Sequence, residues 1–238
     1  MARFCALLSG GKDSNYTLYS ALREGWTLEC IVVVHPRRLD SWMFHSIATR
    51  VALLQAEAMG YIGKTYSFEV SGVKEVEVEE LEEALKTLKE KLDFDTIVAG
   101  AIASRYQRSR LEALASGLNV KLYSPSWGLD QESYMRRIVR EGFKFIIVSI
   151  TTMGLPSSLL GKPIGEAEVE EIIRLSRKHG FNPAFEGGEA ETLVYDAPHY
   201  SRSVCIRGRR VKVREFEYIV EVEDAWLGVK GGECIEVV

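Results

Sequence analysis

The stretch Arg3-Phe4-Cys5-Ala6-Leu7-Leu8-Ser9-Gly10-Gly11-Lys12-Asp13-Ser14 decides how this chain folds. It opens as a short apolar run that stops at the paired glycines, and apolar residues then recur at helical spacing from Tyr16 to Leu22. The pattern ends at Gly25. This order predicts a buried strand, a glycine turn and a helix.

The turn has the features of a phosphate-binding loop. Its two glycines allow a close approach that a side chain would block, its two serines offer hydroxyl groups, and its lysine adds a positive charge. Backbone N–H groups at the start of a helix, together with the helix dipole, bind the oxygens of a triphosphate. We assign to the phosphates of ATP the residues Ser9, Gly10, Gly11, Lys12, Asp13 and Ser14.

The loop differs from the Walker A motif. That motif needs a glycine where Ala6 stands and a serine or threonine where Asp13 stands. The loop does not match GxGxxG either. An ordinary strand-to-helix turn, with Ser9 or Asp13 as the helix cap, is the alternative that the residues alone leave open.

The chain continues with alternating strand and helix patterns up to about Trp127. The predicted strands are Leu28–Val34, Thr65–Val70 and Thr96–Ala99, and the predicted helices are Ile47–Ala58, Val76–Leu92 and Arg108–Ala115. This alternation predicts an α/β fold, a doubly wound parallel sheet with helices on both sides. Such sheets bind ligands at the carboxyl ends of their strands.

After Trp127 the pattern changes. Helices are predicted over Gln131–Glu141 and Glu166–His179, a strand over Lys144–Ile150, and antiparallel strands from Val204 onward around a turn at Arg207-Gly208-Arg209. We therefore expect two domains. An ATP-binding domain spans 1–128, and a smaller α+β domain spans 129–238.

Composition excludes several classes of protein. The 238 residues are 46% hydrophobic and carry a formal net charge of -4, which disfavours a nucleic-acid binder. No apolar run approaches the roughly 18 residues of a membrane span, and no signal-peptide pattern follows Met1, so we expect a cytoplasmic protein without a membrane partner. The scattered cysteines form no CxxC pair, and we expect simple packing of small hydrophobic thiols for Cys5, Cys30, Cys205 and Cys234.

Two further segments carry polar residues that suit a site. Gly100 to Arg110 follows a predicted strand, so it opens on the same sheet edge as the loop, and His35 ends another strand. Phe185-Glu186-Gly187-Gly188-Glu189-Ala190-Glu191-Thr192 places three carboxylates beside two glycines. If that segment is extended, Glu189 and Glu191 point the same way. The acids suit Mg²⁺, an ammonium ion or a general base, while an acidic surface turn is the alternative.

Ser-Gly-Gly-Lys-Asp-Ser after the first strand resembles the signature of the PP-loop ATP pyrophosphatases, which cleave ATP to AMP and pyrophosphate. Further motifs resemble the diphthine–ammonia ligase family in the same order along nearly the whole chain. They are Gly100-Ala101-Ile102, Tyr106-Gln107-Arg108, Pro125-Ser126-Trp127, Gly154-Leu155, Leu160-Gly161, Gly187-Gly188-Glu189-Ala190-Glu191-Thr192 and Asp196-Ala197-Pro198. The family usually has an aromatic residue where Ala190 stands.

The resemblance implies a PP-loop fold and an ATP-dependent amide ligase. Its substrate would be the diphthine form of translation elongation factor 2, whose carboxylate is amidated by ammonium through an acyl-adenylate, with release of AMP and pyrophosphate. ATP and Mg²⁺ would be required, no nucleic acid is expected, and a homo-oligomer is left open. Two rival hypotheses are a PP-loop enzyme that modifies tRNA and a module that senses ATP without turnover.

The resemblance also implies roles for individual residues of the site. Either Glu189 or Glu191 would be the base that takes a proton from ammonium, with Glu186 and Lys12 also catalytic. Besides the loop, the nucleotide would contact His35, Gly100 and Arg105, and Asp13 would also hold the metal. The substrate would contact His45, Tyr106, Gln107, Arg108, Thr192 and Asp196.

Overall fold

The computed structural model describes residues 1–36, 42–71, 73, 76–100 and 105–238. At residues 36, 42–49 and 105–107 it describes the backbone alone. The chain divides into two compact units, Met1–Trp127 and Gly128–Val238. No helix among the described residues is both long enough and apolar enough to cross a membrane.

The described residues of the first unit contain a five-stranded sheet. Its strands are β1 (Arg3–Leu7), β2 (Thr27–Pro36), β3 (Thr65–Val70), β4 (Thr96–Val98) and β5 (Lys121–Tyr123). They lie in the order β3-β2-β1-β4-β5, and every neighbouring pair is parallel. Its helices are α1 (Lys12–Arg23), α2 (Trp42–Ala58), α3 (Val76–Lys89) and α4 (Arg105–Gly117). The predicted parallel α/β fold is confirmed.

The centre of this sheet is apolar on both faces. In β2, Ile31, Val32 and Val33 are at most 1% exposed, as a β-branched run between two layers of helices requires. The register sets Cys5 of β1 beside Cys30 of β2, and the two form a disulfide. The prediction that these cysteines are buried is confirmed, but the prediction of simple thiols is wrong.

The second unit combines two α-helices with a mixed sheet. Its helices are α5 (Gln131–Arg140) and α6 (Glu166–His179). Its strands are β6 (Lys144–Ile150), β7 (Pro163–Ile164), β8 (Ala190–Asp196), β9 (Ser203–Arg214), β10 (Glu217–Gly228) and β11 (Ile235–Val237). They lie in the order β11-β9-β10-β6-β7, and β8 also pairs with β6. The expected α+β character is present.

The predicted turn at Arg207-Gly208-Arg209 is wrong, because β9 runs straight through it and the chain reverses at Phe216, whose φ is 62°. Gly208 has a different cause. A Cβ built there would stand 2.4 Å from the carbonyl oxygen of Glu221 on β10, close to an irregularity in the strand register. A glycine inside a strand often marks such a close approach.

The end of the chain is tied to β9. Cys205 and Cys234 form a second disulfide, and the N–H of Ile206 donates to the carbonyl of Cys234 at 2.7 Å. These cysteines are 3% and 4% exposed. The expectation of simple thiols is therefore wrong for this pair too.

Candidate functional site

The loop between β1 and α1 is a folded structure with its own hydrogen bonds. Gly10 has a φ of 88°, a conformation that glycine adopts at no cost. The N–H of Ser9 donates to Oγ of Ser14 at 3.2 Å, and this Oγ in turn donates to the carbonyl of Gly11 at 3.2 Å. The two serines therefore brace the turn across its base.

The charged residues of the loop lie next to each other. Lys12 is 2% exposed, and its Nζ lies 2.9 Å from Oδ2 of Asp13, whose side chain is 21% exposed. The lysine charge is therefore held at the loop by the neighbouring carboxylate. Among the described residues, no group of three or more His, Cys, Asp or Glu could hold a metal ion.

Two buried side-chain amides contact the carbonyls of the loop. Gln55 of α2 donates through Nε2 to the carbonyl of Gly10 at 2.9 Å, and Asn15 of α1 donates through Nδ2 to that of Gly11 at 3.0 Å. Asn15 also donates to Oε1 of Gln55 at 3.4 Å. Both side chains are 0% exposed.

Neither amide is among the site residues that the sequence predicts. Gln55 stands four residues after Val51 and three before Ala58, on the stripe that predicts the buried face of this helix. A polar residue on such a stripe needs a buried partner. That signal was available, although it does not say which partner the residue finds.

Gly100 closes the other side of the loop. A Cβ built at Gly100 would stand 2.4 Å from the carbonyl carbon of Asp13 and 2.5 Å from the nitrogen of Ser14. The first turn of α1 occupies the space where a side chain of residue 100 would lie, so the glycine allows the end of β4 to pack directly against that turn. The predicted contact between Gly100 and the nucleotide stays a prediction.

A cavity of about 370 Å³ opens beside the loop. It is mostly apolar and lies at the carboxyl ends of β1, β2 and β4, against α3 and α4. Its lining consists of Leu7, Leu8, Ser9, Ser14, Val32, Val34, Glu77, Val78, Leu81, Ala99, Gly100, Arg110, Leu111 and Leu114. His35 at the end of β2 is half-buried and is not part of this described lining.

Four predicted contact residues fall where only the backbone is described, so their side chains lie outside the described residues. They are His45 of α2 and Arg105, Tyr106 and Gln107 in the first turn of α4. Arg108 is described. Its guanidinium lies 4.5 Å from the ring centroid of Trp127, and its Nε donates to Glu112 at 2.6 Å.

The acidic segment of the second unit forms a compact turn before β8. Oε1 of Glu189 accepts from the N–H of Asn182 at 2.9 Å, and Oε2 accepts from that of Gly187 at 2.8 Å. The N–H of Thr151, directly after β6, donates to the carbonyl of Glu189 at 2.9 Å. The carboxylate of Glu189 thus closes the turn from within.

The other acids of the segment are placed differently. Strand β8 begins at Ala190, so the extended geometry that would align Glu189 with Glu191 does not include Glu189. Glu191 is exposed on this strand, and Glu186 and Thr192 are half-buried. The structure therefore separates one carboxylate engaged by the backbone from one that faces solvent.

Asp196 at the end of β8 has partners within the chain. It is 3% exposed and forms an ion pair with Lys230, whose Nζ also donates to the carbonyl of Ala197 at 2.6 Å. Lys144 lies 3.8 Å away. A buried carboxylate needs such compensation, so these contacts stabilise Asp196 within the second unit. Its predicted contact with the substrate stays a prediction.

His199 lies near that ion pair. Its ring nitrogens are buried, and its ring packs 4.9 Å from Tyr200 and 5.8 Å from Phe143 between centroids. Burial, followed by the positive charge of Lys230, lowers the pKa of His199 from 6.5 to about 3. Burial also raises the pKa of Tyr200 well above its ordinary value.

Comparisons with known proteins cover both units. The family described as "Diphthamide synthase N-terminal domain" matches residues 2–122, and "Diphthamide synthase C-terminal domain" matches residues 130–237. The diphthine–ammonia ligase of Rattus norvegicus is 33% identical over 225 residues, covering 86% of this chain and 82% of the rat protein. That of Homo sapiens is 30% identical over 237 residues, covering 92% and 88%.

Among solved structures, one titled a predicted subunit of tRNA methyltransferase from Methanocaldococcus jannaschii is 13% identical. It aligns over 83% of this chain and 98% of its own, with a TM-score of 0.43, a likeness that supports no conclusion. The family matches and the identities to the curated ligases do support one. The chain belongs to the diphthamide synthase family, whose curated members are enzymes named diphthine–ammonia ligase.

Proposed function

We propose that this chain amidates the carboxylate of diphthine on translation elongation factor 2 with ammonium, using ATP and releasing AMP and pyrophosphate. The observation that carries the proposal is the loop from Ser9 to Ser14. Its glycine conformation, its two buried amide supports and its position at a helix N-terminus form a site for a polyphosphate. A protein that belongs to a ligase family has a use for such a site.

The cavity beside the loop suits the nucleoside end of ATP. Its volume of about 370 Å³ lies within the usual range for small-ligand pockets, roughly 300–1,000 Å³. A base would meet apolar surface from Leu7, Leu8, Val32 and Val34. Gly100 lines the same cavity, and we keep it among the nucleotide contacts, while the described cavity gives no support for His35.

Lys12 and Asp13 would act at the phosphates. The ammonium group of Lys12 is held at the loop, where it would neutralise charge on the polyphosphate and on the departing pyrophosphate. Mg²⁺ is commonly held by one or two carboxylates together with substrate phosphates. A single carboxylate at Asp13 fits that pattern, and bound Mg²⁺ would supply charge neutralisation there.

The reaction needs activation of a poor leaving group. Attack of the diphthine carboxylate on the α-phosphorus of ATP forms an acyl-adenylate, and ammonia then displaces AMP. Because ammonium is mostly protonated at neutral pH, this second step needs a base. We assign that role to Glu191, which is exposed, and assign to Glu189 the closing of the turn, since both its oxygens already accept backbone hydrogen bonds.

We assign ATP binding to the proposed domain 1–128, and the acidic turn belongs to the proposed domain 129–238. Glu186 and Thr192 remain candidates beside Glu191 because both are partly accessible. Arg108 remains a candidate for the substrate, although Trp127 and Glu112 already hold it. The side chains of His45, Arg105, Tyr106 and Gln107 remain candidates from the family resemblance.

The test is a reconstituted reaction. The enzyme is incubated with diphthine-bearing elongation factor 2, ATP, Mg²⁺ and ammonium, and the intact mass of the factor is measured while nucleotide products are separated. We expect replacement of one hydroxyl by an amino group, with AMP and pyrophosphate in equal amounts. Release of ADP and phosphate, or an unchanged factor, would overturn the proposal.

A further inference from the structure

Gln55 of α2 is a polar residue whose side chain forms a hydrogen bond with the phosphate loop. It lies 45 residues beyond Gly10 along the chain, yet its amide donates to the carbonyl of that glycine at 2.9 Å. The side chain is fully buried. A buried amide without partners costs free energy, so its hydrogen bonds decide how the surrounding backbone is oriented.

The direction of a loop carbonyl decides where the neighbouring N–H groups point. Each peptide unit is planar and carries its C=O and N–H on opposite sides, so turning the carbonyl of Gly10 toward Gln55 turns the N–H of Gly11 the other way, where it donates to Oγ of Ser9 at 3.4 Å. The carbonyl of Gly11 accepts from Nδ2 and the N–H of Asn15 and from Oγ of Ser14, and these bonds together orient the N–H of Lys12. A phosphate-binding loop needs its N–H groups directed at the anion.

The contact also fixes the conformation of Gly10. A Cβ built on this residue would meet Oε1 of Gln55 at 3.5 Å, so the amide lies directly beside the loop. Gly10 itself has a φ of 88°, and glycine in that region is free to move to other conformations. A hydrogen bond from the buried side chain of Gln55 limits this freedom before any ligand arrives.

We propose that Gln55 is a positioning residue for ATP, which together with Asn15 sets the backbone N–H groups of the phosphate loop in their binding orientation. The inference rests on the proposed function, because it assumes that a polyphosphate occupies the loop. It adds α2 to the nucleotide site through a residue that lies outside every motif of the chain that resembles the family.

The experiment compares three ligands by calorimetry: ATP, inorganic pyrophosphate and adenosine. Gln55→Met keeps the length and burial of the side chain but has no donor for Gly10. We expect its affinity for ATP and pyrophosphate to fall about tenfold or more, as for loss of an orienting hydrogen bond in a buried site. The affinity for adenosine should not change, because adenosine has no phosphate for the N–H groups of the loop to bind.

Thr17→Val is the matched control. Thr17 is 1% exposed and its hydroxyl donates to the carbonyl of Asp13 at 2.8 Å, so the variant removes a buried hydrogen bond from the same region without touching the carbonyls of Gly10 or Gly11. We expect lower stability and an unchanged ratio of pyrophosphate to adenosine affinity. Equal losses for all three ligands in Gln55→Met would show a merely structural role and overturn the inference.

Gln55→Glu provides a second variant should the first not fold. An ionised carboxylate cannot donate to the carbonyl of Gly10, whereas a protonated carboxyl group can. Lowering the pH protonates the group, and burial favours the protonated form further. Pyrophosphate affinity relative to the wild type should therefore recover at low pH, and a constant ratio would contradict the inference. If wild-type protein binds neither ATP nor pyrophosphate, the proposed function fails instead.

Discussion

Gly100 lies against the backbone of Asp13 so closely that a Cβ on the glycine would stand 2.4 Å from the carbonyl carbon of the aspartate. The end of β4 and the first turn of α1 are thus in direct backbone contact. A phosphate loop placed at that turn depends on this contact for its position. Glycine is needed at position 100 because the end of β4 packs against the first turn of α1.

Gly100→Ala should therefore disturb both stability and nucleotide binding. The added methyl group must push the backbone of Asp13 and Ser14 aside, and overpacking of this kind costs about 1–3 kcal/mol. Thermal unfolding and ATP titration measure the two effects. Gly63→Ala is the control, because nothing lies within 4 Å of a Cβ built at Gly63. Wild-type stability and ATP affinity in Gly100→Ala would contradict the packing.

Lys12→Gln should impair the use of ATP. The substitution removes the buried ammonium group at the loop while keeping similar bulk, and the loss of one such electrostatic contact costs about 100-fold or more in rate. Release of AMP under saturating substrate is the measurement. Lys91→Gln, at an exposed position, should behave as the wild type. Equal AMP release by both variants would show that Lys12 does not contact the phosphates.

Glu191→Gln and Glu189→Gln should fail in different ways. Loss of a general base lowers kcat by about 10²- to 10⁴-fold without changing the fold, and we expect this of Glu191→Gln. Glu189→Gln should loosen the turn, because an amide has only one oxygen to offer the N–H groups of Asn182 and Gly187. Steady-state kinetics and amide exchange of residues 182–189 distinguish the two.

A reversed outcome would refute that division. In that outcome the amides of residues 182–189 would exchange faster in Glu191→Gln, while Glu189→Gln would keep a normal turn but have a low kcat. Glu189 would then be the base. Glu223→Gln is a suitable control, since this exposed glutamate of β10 lies outside the acidic segment. It should leave both the rate and the exchange of the turn unchanged.

The second unit should lose stability as the pH falls. The pKa of His199 is lowered to about 3 in the folded chain, against 6.5 as the ordinary value. The unfolded chain therefore binds the proton first, so the stabilising contribution is complete above pH 6.5 and is lost progressively toward pH 3. Chemical denaturation across that range measures it, and His199→Phe should flatten the dependence. An unchanged slope in the variant would contradict the assignment.

Both disulfides predict a chemical outcome. Thiol titration of the unfolded, unreduced protein should detect none of the four cysteines, and four after reduction. The link between Cys205 and Cys234 encloses a sequence separation of 29 residues, for which loop-closure entropy gives about 3–4 kcal/mol. Cys234→Ser should lower the melting temperature under oxidising conditions. Four reactive thiols before reduction would refute both pairs.

Much of the fold was predictable because periodicity reports burial directly. The apolar run of β1, the β-branched β2 and the alternation of β3 each indicate their position in the sheet. Strand β5 was missed, since Lys121–Tyr123 is too short to show a period. The supposed turn at Gly208 shows the limit of local patterns: the same glycine serves a turn or a close strand crossing, and only the partner strand decides.

The sequence predicts which residues form the candidate site better than it predicts the contacts between them. Helix position and glycine content identify the phosphate loop, but Gln55 reaches it from another helix, and no local pattern states that contact. The pairing of Cys5 with Cys30 likewise depends on the register between two strands. For Glu189, the hydrogen bonds to Asn182 and Gly187 arise from the path of the turn, which sequence spacing does not determine.

Strand β6 pairs with β8 along one edge and with β7 and β10 along the other. Its amides should accordingly open only when the whole second unit unfolds. Thr151, the first residue beyond it, supports the acidic turn through its N–H and hydroxyl. The acidic turn is therefore attached to the strand that we expect to exchange most slowly in this sheet. Local opening of the β9–β10 hairpin should leave Glu189 and Glu191 in their positions.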